Sequence, residues 1–183
     1  VYSLLLKLLT GLNPAIFLRK MRSVMVFGFS TASSNATIPV TLRTVEQDLG
    51  VDNRVASFSV PLGATITMDG TAIMQGVATA FIAQVYGIDI GLMGYLMVVL
   101  TATLASIGTA GVPGVGMITL AMVLQQAGLP VEGVALIIGV DRLLDMVRTA
   151  VNVTGDAMVS TVVANSEKLL DRKQFERPIS NED

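Results

Sequence analysis

Long apolar stretches separated by short polar segments divide the chain into four blocks. The blocks cover residues 13–50, 55–86, 90–128 and 131–164. In the most extreme stretch, between Asp89 and Glu132, 42 consecutive residues carry no charge. An apolar run longer than about 18 residues is typical of a segment embedded in a membrane. The pattern therefore predicts an all-α membrane protein rather than the buried core helices of a large soluble protein.

The third block is interrupted at its centre. The segment Gly108–Gly116 holds four glycines and a proline, which do not continue a regular helix. The arms on either side are Ile90–Ile107 and Met117–Ala127. At 1.5 Å per residue the second arm is only about 16 Å long, whereas the hydrocarbon core of a bilayer is about 30 Å thick. A re-entrant hairpin therefore fits better than the alternative of two complete spans.

The first block has the same plan in a weaker form. Asn13-Pro14 is expected to begin a helix, because proline is favoured in the first helical turn. Ser33–Pro39 is expected to interrupt it before an arm that ends near Gly50. The second and fourth blocks are expected to be long transmembrane helices, one of them broken. The order of hairpin, helix, hairpin and helix predicts an internal repeat, which in secondary transporters is often inverted across the membrane.

The flanking segments complete the predicted organisation. Residues 1–12 are expected to be the end of a preceding membrane helix and a connector, and residues 13–164 the membrane-embedded core. Residues 165–183 are polar and charged, and are expected to form an exposed helix end with a frayed tail. Because the chain begins with Val1 in an apolar stretch and shows no signal peptide, it is expected to be a piece of a longer protein.

One carboxylate, that of Asp69, is predicted to lie near the middle of the membrane. It separates uncharged runs of 14 residues (Val55–Met68) and 19 residues (Gly70–Ile88). An ionisable group at such depth is costly and therefore indicates function. Gly70 and the neighbouring threonines favour local unwinding, which frees carbonyl oxygens. Carboxylate, carbonyl and hydroxyl oxygens are the ligands of hard cations, so we expect a cation site, with a structural arginine partner as the alternative.

The fourth block carries a stripe of polar residues along one helix face. Its members are Asp141, Asp145, Arg148, Asn152 and Asp156. Spaced 4, 3, 4 and 4 residues apart, they fall within roughly 80° of one face, and a charged stripe in a membrane must face protein or water. Ion pairs within the helix are the structural alternative. Because three acids face one arginine, we expect the stripe to bind a cation, with Arg148 free to bind a carboxylate and Asp145 an ammonium group.

The two interruptions are expected to bind the other end of such a substrate. Ser33-Ser34-Asn35 and the loop Gly108–Gly116 expose backbone N–H groups and hydroxyls. The helices that begin after them add partial positive charge, which suits an α-carboxylate. Together with the stripe, these segments indicate an amino acid with an acidic side chain.

Composition narrows the chemistry further. The chain has 183 residues, 14% of them charged, a mean hydropathy of +0.68, and neither histidine nor cysteine. The commonest general base, disulfides and thiolate sites are therefore excluded, and an enzyme is the least favoured class. A net charge of -2 provides no basic surface for nucleic acid. A channel, whose filter can also be built from broken helices, would need a continuous pore.

Four segments carry linked motifs. They are SSNATIPVT from Ser33, PLGATITMDGTA from Pro61, SIGTAGVPG from Ser106 and DRLLDMVRTAVNVTGD from Asp141. In order and spacing, over about residues 13–165, they resemble the glutamate transporter family, the dicarboxylate/amino acid:cation symporters. The resemblance implies a homotrimeric elevator transporter, multi-pass in the inner or plasma membrane and in contact with its lipid. This chain would hold its mobile transport domain without the trimer scaffold.

The resemblance also implies roles for individual residues. Arg148 would bind the substrate side-chain carboxylate with Asp141 orienting it, and Asp145 would bind the ammonium. Further substrate contacts would come from Ser34, Thr71, Gly111, Thr149 and Asn152. One sodium site would combine Asp156 with carbonyls of Gly63, Thr67 and Asn152, a second would combine Thr65 with Ser106, Ile107 and Thr109, and a third, deeper site would contain Asp69.

Two features depart from the family. Thr67 stands where the family usually has the asparagine of Asn-Met-Asp-Gly-Thr, so the third sodium site differs. The extra arginine of many members is also missing, since its two possible positions correspond to Ala32 and to either Asp145 or Met146.

Two functions of one fold follow from these residues. The first is sodium-coupled symport of aspartate or glutamate. The second is symport coupled to protons, or transport of a C4-dicarboxylate such as succinate. Asp145 favours an amino acid, because a plain dicarboxylate has no ammonium group to pair with it, and the other ion sites favour sodium.

Overall fold

The computed structural model describes residues 1–107 and 109–178, and this part of the chain is helical. Its α-helices are α1 Tyr2–Thr10, α2 Pro14–Lys20, α3 Arg22–Thr31, α4 Ser34–Gln47, α5 Asn53–Ile66, α6 Asp69–Val85, α7 Gly91–Ser106, α8 Val115–Gln126, α9 Ala135–Ile138, α10 Asp141–Ser166 and α11 Arg172–Glu176. Within the described residues, extended pairing is limited to an isolated bridge between Val51 and Leu170. The predicted all-α class is confirmed. Gly108, in the interruption Gly108–Gly116 (the second tip), lies outside the described residues. Residues 179–183, at the end of the predicted tail, also lie outside them.

The first block forms a helical hairpin of α2, α3 and α4. Its start is as predicted, because the side chain of Asn13 accepts a hydrogen bond from the backbone N–H of Ala15 and Pro14 occupies the first helical position. The expected interruption over Ser33–Pro39 is wrong in extent, since only Ala32 and Ser33 leave the helical path. The Ser33 side chain caps α4 at once, and Pro39 removes only one backbone donor, so the helix continues through it.

The second block is a long helix broken in the middle, as the sequence predicts. Helix α5 ends at Ile66, Thr67 and Met68 are not helical, and α6 begins at Asp69. Counted across this break, Asn53–Val85 is the one helical stretch of the described residues that is long and apolar enough to cross a membrane.

The third block gives the apolar helices α7 and α8, with bounds within two residues of the predicted arms. Both helices are shorter than a membrane-spanning helix needs. Large apolar side chains cover their outer surfaces, with Leu92 79% and Ile118 68% exposed. So much exposed apolar surface is typical of a face that contacts lipid or another protein segment.

The fourth block differs from its prediction at its start. A single helix was expected from Gly133 to Ala164, but α10 begins only at Asp141. The short helix α9 and a 3₁₀ turn over Val131–Val134 precede it. Glycine has low helix propensity, and the break falls at Gly139 and Val140, which separate α9 from α10.

The predicted frayed tail is wrong for residues 167–178, which fold back on the first hairpin. Phe175 is fully buried. The buried ammonium group of Lys20 donates to the carbonyl oxygens of Asp48, Gln174 and Phe175 at 2.7–3.0 Å. The N–H of Asp171 donates to the Gly50 carbonyl at 2.8 Å.

We predict that Gly50→Ala destabilises the protein more than Gly87→Ala. Both glycines have positive φ, 76° and 66°, which costs alanine about 1–2 kcal/mol. A Cβ at Gly50 would also lie 2.5 Å from the Asp171 carbonyl oxygen, whereas Gly87 has open space, so Gly50→Ala should lose about 1–3 kcal/mol more. Melting temperatures of the full-length variants in detergent test this. Equal decreases in melting temperature for the two variants would show that the tail does not pack against Gly50.

Candidate functional site

One small cavity at the centre of the described chain is lined by every residue predicted to bind substrate. These residues are Ser34, Thr71, Gly111, Asp145, Arg148, Thr149 and Asn152. The cavity is tight, with a free volume of about 20 Å³. It lies between the turn before α4, the loop before α8, the break between α5 and α6, and helix α10. Residues from four distant segments of the sequence therefore share one pocket.

The two interruptions, the first tip at Ser33–Asn35 and the second tip around Gly111, contact each other beside this cavity. The Ser33 hydroxyl and the Asn35 backbone N–H both donate to the Gly111 carbonyl oxygen, at 2.7 and 3.1 Å. A side chain at Gly111 would force its neighbours to shift, because its Cβ would lie 2.9 Å from Asn35 Oδ1 and 3.1 Å from the Ala64 carbonyl oxygen. The absence of a side chain at Gly111 allows the contact.

Arg148 is buried and half paired. Its Nη2 donates to Asp145 Oδ1 at 2.7 Å and to Asp141 Oδ1 at 3.4 Å, so both predicted acid partners are used. Its Nε and Nη1 have no hydrogen-bond partner within the described residues. Buried donors are normally satisfied, and unused N–H groups of a guanidinium suit a carboxylate. The acids thus occupy Nη2 and leave the N–H groups of Nη1 for a ligand.

Asp145 joins this arginine to the second tip. While Oδ1 accepts from Arg148, Oδ2 accepts from the backbone N–H of Gly114 at 2.8 Å. A carboxylate has about four lone-pair positions, so both oxygens retain capacity for another donor. The hydroxyl of Thr149, one turn further along α10, donates to the Asp145 carbonyl oxygen at 2.9 Å.

Asn152 holds the broken helix next to the pocket. Its Oδ1 accepts from the backbone N–H of Gly70 at 2.8 Å, which satisfies one free donor at the start of α6. Its amide group reaches Met68 Sδ at 3.3 Å and Thr71 Oγ1 at 3.4 Å. One side chain of α10 therefore fixes the break and contacts a second pocket residue.

A buried carboxylate, Asp156, lies one turn beyond Asn152. It is 2% exposed, and Oδ1 has no hydrogen-bond partner in the described part of the chain. A Cβ at Gly63 would lie 2.7 Å from that oxygen, so the backbone of α5 passes close by. Thr67 is near the same place, since a Cβ at Gly155 would be 2.9 Å from its Cγ2. An unpaired buried charge must be neutralised, and an oxygen-lined site for a hard cation fits these residues.

For the other two predicted cation sites, the structure shows fewer contacts between the predicted residues. The hydroxyls of Thr65, Ser106 and Thr109 each donate to a carbonyl oxygen earlier in their own segment, at 2.8, 2.8 and 2.5 Å. No described contact joins Thr65 to Ile107 or to the other two, so this set stays a prediction. Within the described residues, no cluster of three or more His, Cys, Asp or Glu side chains could hold a metal ion. A bound cation would therefore depend mainly on neutral oxygens.

Asp69 begins α6 on an exposed face of the described chain. It forms no ion pair with an arginine among the described residues, so the structural alternative finds no support there. Instead its Oδ2 accepts a hydrogen bond from the hydroxyl of Tyr2, in α1, at 2.8 Å. Tyr2 was not predicted as part of a site, because nothing in its local sequence indicates which distant residue it contacts.

Gln75 and Thr119 are further polar residues that the sequence reasoning missed. Gln75 is fully buried, and its side-chain amide donates to the hydroxyl of Thr119 on α8. The signal was available, because Thr71, Gln75 and Thr79 lie four residues apart in an otherwise apolar helix and so share one face.

The chain belongs to the Sodium:dicarboxylate symporter family, whose sequence profile matches residues 1–166. It is thus part of a family of membrane transport proteins and not of enzymes. It is similar to an "Excitatory amino acid transporter" of Caenorhabditis elegans, 48% identical over 159 residues, which are 87% of this chain and 32% of that protein. "Excitatory amino acid transporter 3" of Homo sapiens is 45% identical over 170 residues, 93% of this chain and 32% of that protein. The chain spans about a third of the length of these curated relatives.

We predict that Gly116→Ala destabilises the protein although alanine is the better helix former. A Cβ at this position in α8 would overlap the guanidinium of Arg148. Displacing Arg148 from its buried acid partner costs about 3–5 kcal/mol. Gly76→Ala, in α6 with open space around it, is the matched control and should gain up to about 1 kcal/mol. Melting temperatures of the two full-length variants that do not differ would contradict the described packing of Gly116 on Arg148.

Proposed function

We propose that the protein is a secondary active symporter that couples the movement of aspartate or glutamate to sodium. The observation that carries this proposal is the buried guanidinium of Arg148. Its Nη2 is held by acids, its Nη1 has no partner among the described residues, and it lines the same cavity as Asp145 and both tips. The names of the relatives, excitatory amino acid transporters, support the same substrate class.

The pocket offers a separate group to each charge of an acidic amino acid. The unused Nη1 of Arg148 would donate to the side-chain carboxylate in a charge-assisted hydrogen bond. Asp145 would accept from the ammonium group, which a plain dicarboxylate lacks. Hydroxyls and backbone at Ser34, Thr71 and the second tip would bind the α-carboxylate, with Thr149 and Asn152 completing the wall. Asp141 would keep the guanidinium in place.

The coupling ion is proposed to bind around Asp156, with the backbone oxygens of Gly63, Thr67 and Asn152. A sodium ion would supply the positive charge that the unpartnered carboxylate lacks. Asn152 belongs to this set and also contacts Thr71 of the substrate pocket, so occupation of one site bears on the geometry of the other. Thr65 with Ser106, Ile107 and Thr109, and Asp69 at the start of α6, are proposed as further ion sites.

Proton coupling is the second candidate, and the same carboxylate favours it. A buried acid with no basic partner among the described residues can be neutralised by a proton as well as by a metal ion. A proton-coupled glutamate or C4-dicarboxylate symporter would use Asp156 in its protonated form.

The distribution of basic residues supports a membrane arrangement for this proposal. Ten of the twelve lysines and arginines lie in residues 1–54 and 168–177, which meet at one end of the domain. At the other end, residues 85–91 and 126–134 contain two acids and no basic residue. By the positive-inside rule, the basic end faces the cytoplasm.

The hairpins are then proposed to be re-entrant and to enter from opposite sides. The α2–α4 hairpin opens toward the basic end and the α7–α8 hairpin toward the other, while Ser33 and Gly111 touch between them. Because the two tips meet, each hairpin would cross only part of the membrane. Entry from opposite sides is the arrangement that an inverted repeat gives. An elevator movement, a homotrimer built on a scaffold outside this chain, and a multi-pass position in the cell membrane belong to the same proposal.

We predict that the full-length protein in liposomes accumulates labelled aspartate when sodium is high on one side only. The inward sodium gradient should drive uptake above equilibrium, and a proton gradient without sodium should not. Uptake driven by a proton gradient without sodium would show that the coupling ion is the proton and not sodium. Succinate uptake without aspartate uptake would overturn the amino acid assignment, and no uptake of either would overturn transport of acidic substrates.

We predict that Arg148→Ala abolishes the uptake of aspartate and glutamate, a loss of at least about 100-fold, because the pocket loses the group that pairs with the side-chain carboxylate. Arg142→Ala is the control, since Arg142 is exposed on the same helix and forms no ion pair in the described part of the chain. Uptake is compared after normalisation to the amount of folded protein in the liposomes. Acidic uptake that survives in Arg148→Ala would remove Arg148 from the site.

A further inference from the structure

The hydroxyl of Tyr2, at the start of α1, lies between the start of α6 and the middle of α10. It donates to Asp69 Oδ2 at 2.8 Å. On its other side it lies against α10, because a Cβ at Gly155 would be only 2.7 Å from the Tyr2 hydroxyl oxygen. Gly155 directly precedes Asp156 in the sequence. One phenol group therefore connects the carboxylate of Asp69 with the helix that carries the second predicted cation-binding carboxylate.

Contacts that do not involve Asp69 fix the position of this hydroxyl. The Tyr2 side chain packs against the buried core cluster that contains Leu6 and Val153. Only a glycine at position 155 leaves room for the hydroxyl oxygen at its present place. The side chain of Thr67 closes the same space, since its Cγ2 would be 2.9 Å from that Cβ. Tyr2 is therefore a fixed donor to which the carboxylate of Asp69 adapts.

The carboxylate of Asp69 has few other restraints in the described part of the chain. Asp69 is exposed at the first position of α6 and forms no ion pair among the described residues. An exposed side chain of this kind exchanges between rotamers, and fixing it costs entropy. The bond from Tyr2 holds Oδ2, so Oδ1 keeps its lone pairs for another ligand. A carboxylate oxygen beside neutral hydroxyl oxygens suits a hard cation.

We infer from this geometry that Tyr2 is a positioning residue for a cation bound at Asp69. The inference rests on the proposed function, in which Asp69 belongs to a further ion site. A neutral hydroxyl orients the carboxylate without cancelling its charge, whereas an arginine partner would compete with the ion. Groups that orient a metal-binding carboxylate typically contribute about 10–100-fold to the metal affinity. Because Oδ1 takes no part in the contact, Tyr2 and the ion bind together, and loss of the hydroxyl weakens ion binding.

The test is Tyr2→Phe in the full-length protein in detergent, which keeps the ring and its packing. The dissociation constant of aspartate is measured by calorimetry over a series of sodium concentrations. The variant should need about tenfold more sodium to reach the same aspartate affinity. At sodium concentrations that saturate the variant, the aspartate dissociation constant should return to the wild-type value, because Tyr2 does not line the substrate pocket.

A second measurement follows sodium binding without substrate. Sodium alone should raise the melting temperature of the wild-type protein, since an ion that binds only the folded state stabilises it. The same sodium concentration should raise it less in Tyr2→Phe. Combining Tyr2→Phe with Asp69→Asn should add little to the effect of Asp69→Asn alone, because both changes act on the same ion site.

Tyr86→Phe is the matched control. Tyr86 is 43% exposed and lies directly after the last residue of α6, about 25 Å from Asp69 at 1.5 Å per residue. The change removes the same hydroxyl group from the other end of the same helix. The sodium dependence of Tyr86→Phe should therefore equal that of the wild-type protein.

The possible failures are distinguishable. Wild-type protein that binds aspartate without sodium, or does not bind it, would overturn the proposed function and this inference with it. Sodium-dependent wild-type protein whose Tyr2→Phe variant keeps the wild-type sodium dependence would overturn only the inference, even if that variant melts at a lower temperature. Tighter sodium binding in Tyr2→Phe would also overturn it, because the hydroxyl would then compete with the ion. An equal shift in Tyr86→Phe would show that the effect does not depend on Asp69.

Discussion

The buried guanidinium of Arg148 imposes the main constraint on this structure. A charge in the interior is costly unless an opposite charge lies close by. Asp145 meets this need at 2.7 Å and Asp141 assists at 3.4 Å. Because Asp145 also accepts from Gly114 at the second tip, the ion pair that keeps Arg148 in the interior also fixes the loop that closes the pocket. Removal of one partner would disturb both.

The tips depend on that pair, and the packing around them is made possible by glycine. Gly111 lies against Asn35 and the backbone of α5, and Gly116 lies against Arg148, in spaces that admit no side chain. Two hairpins from distant parts of the sequence can therefore both approach the buried guanidinium of Arg148. Their polar backbone groups bond to each other and to α10, which is how irregular backbone is tolerated away from water.

The spacing of apolar residues and the distribution of charge along the sequence predicted much of this structure. Both depend on residues that are close together in one helix. The break before Asp69, the two apolar arms around the second tip and the polar stripe of α10 are local features with strong signals. The stripe and the tips also matched a known family, which brought residues such as Ser34 and Gly111 into one predicted pocket. The folded tail, the late start of α10 and the contacts of Tyr2 and Gln75 were missed, because each is decided by a distant partner. Lys20, for example, is an ordinary basic residue in the sequence, and only tertiary structure supplies its three carbonyl acceptors.

Charge balance along α10 explains how one helix can serve two ligands. Near its start the polar stripe has two acids, Asp141 and Asp145, and one arginine, Arg148, whose Nη1 has no partner among the described residues. Two turns further, Asp156 has no compensating basic residue within the described chain. A substrate carboxylate would complete the first region and a cation the second, while Asn152 lies between them and holds the broken helix. Since Asp156 has no basic partner among the described residues, binding of a cation there relieves a cost that the empty protein carries.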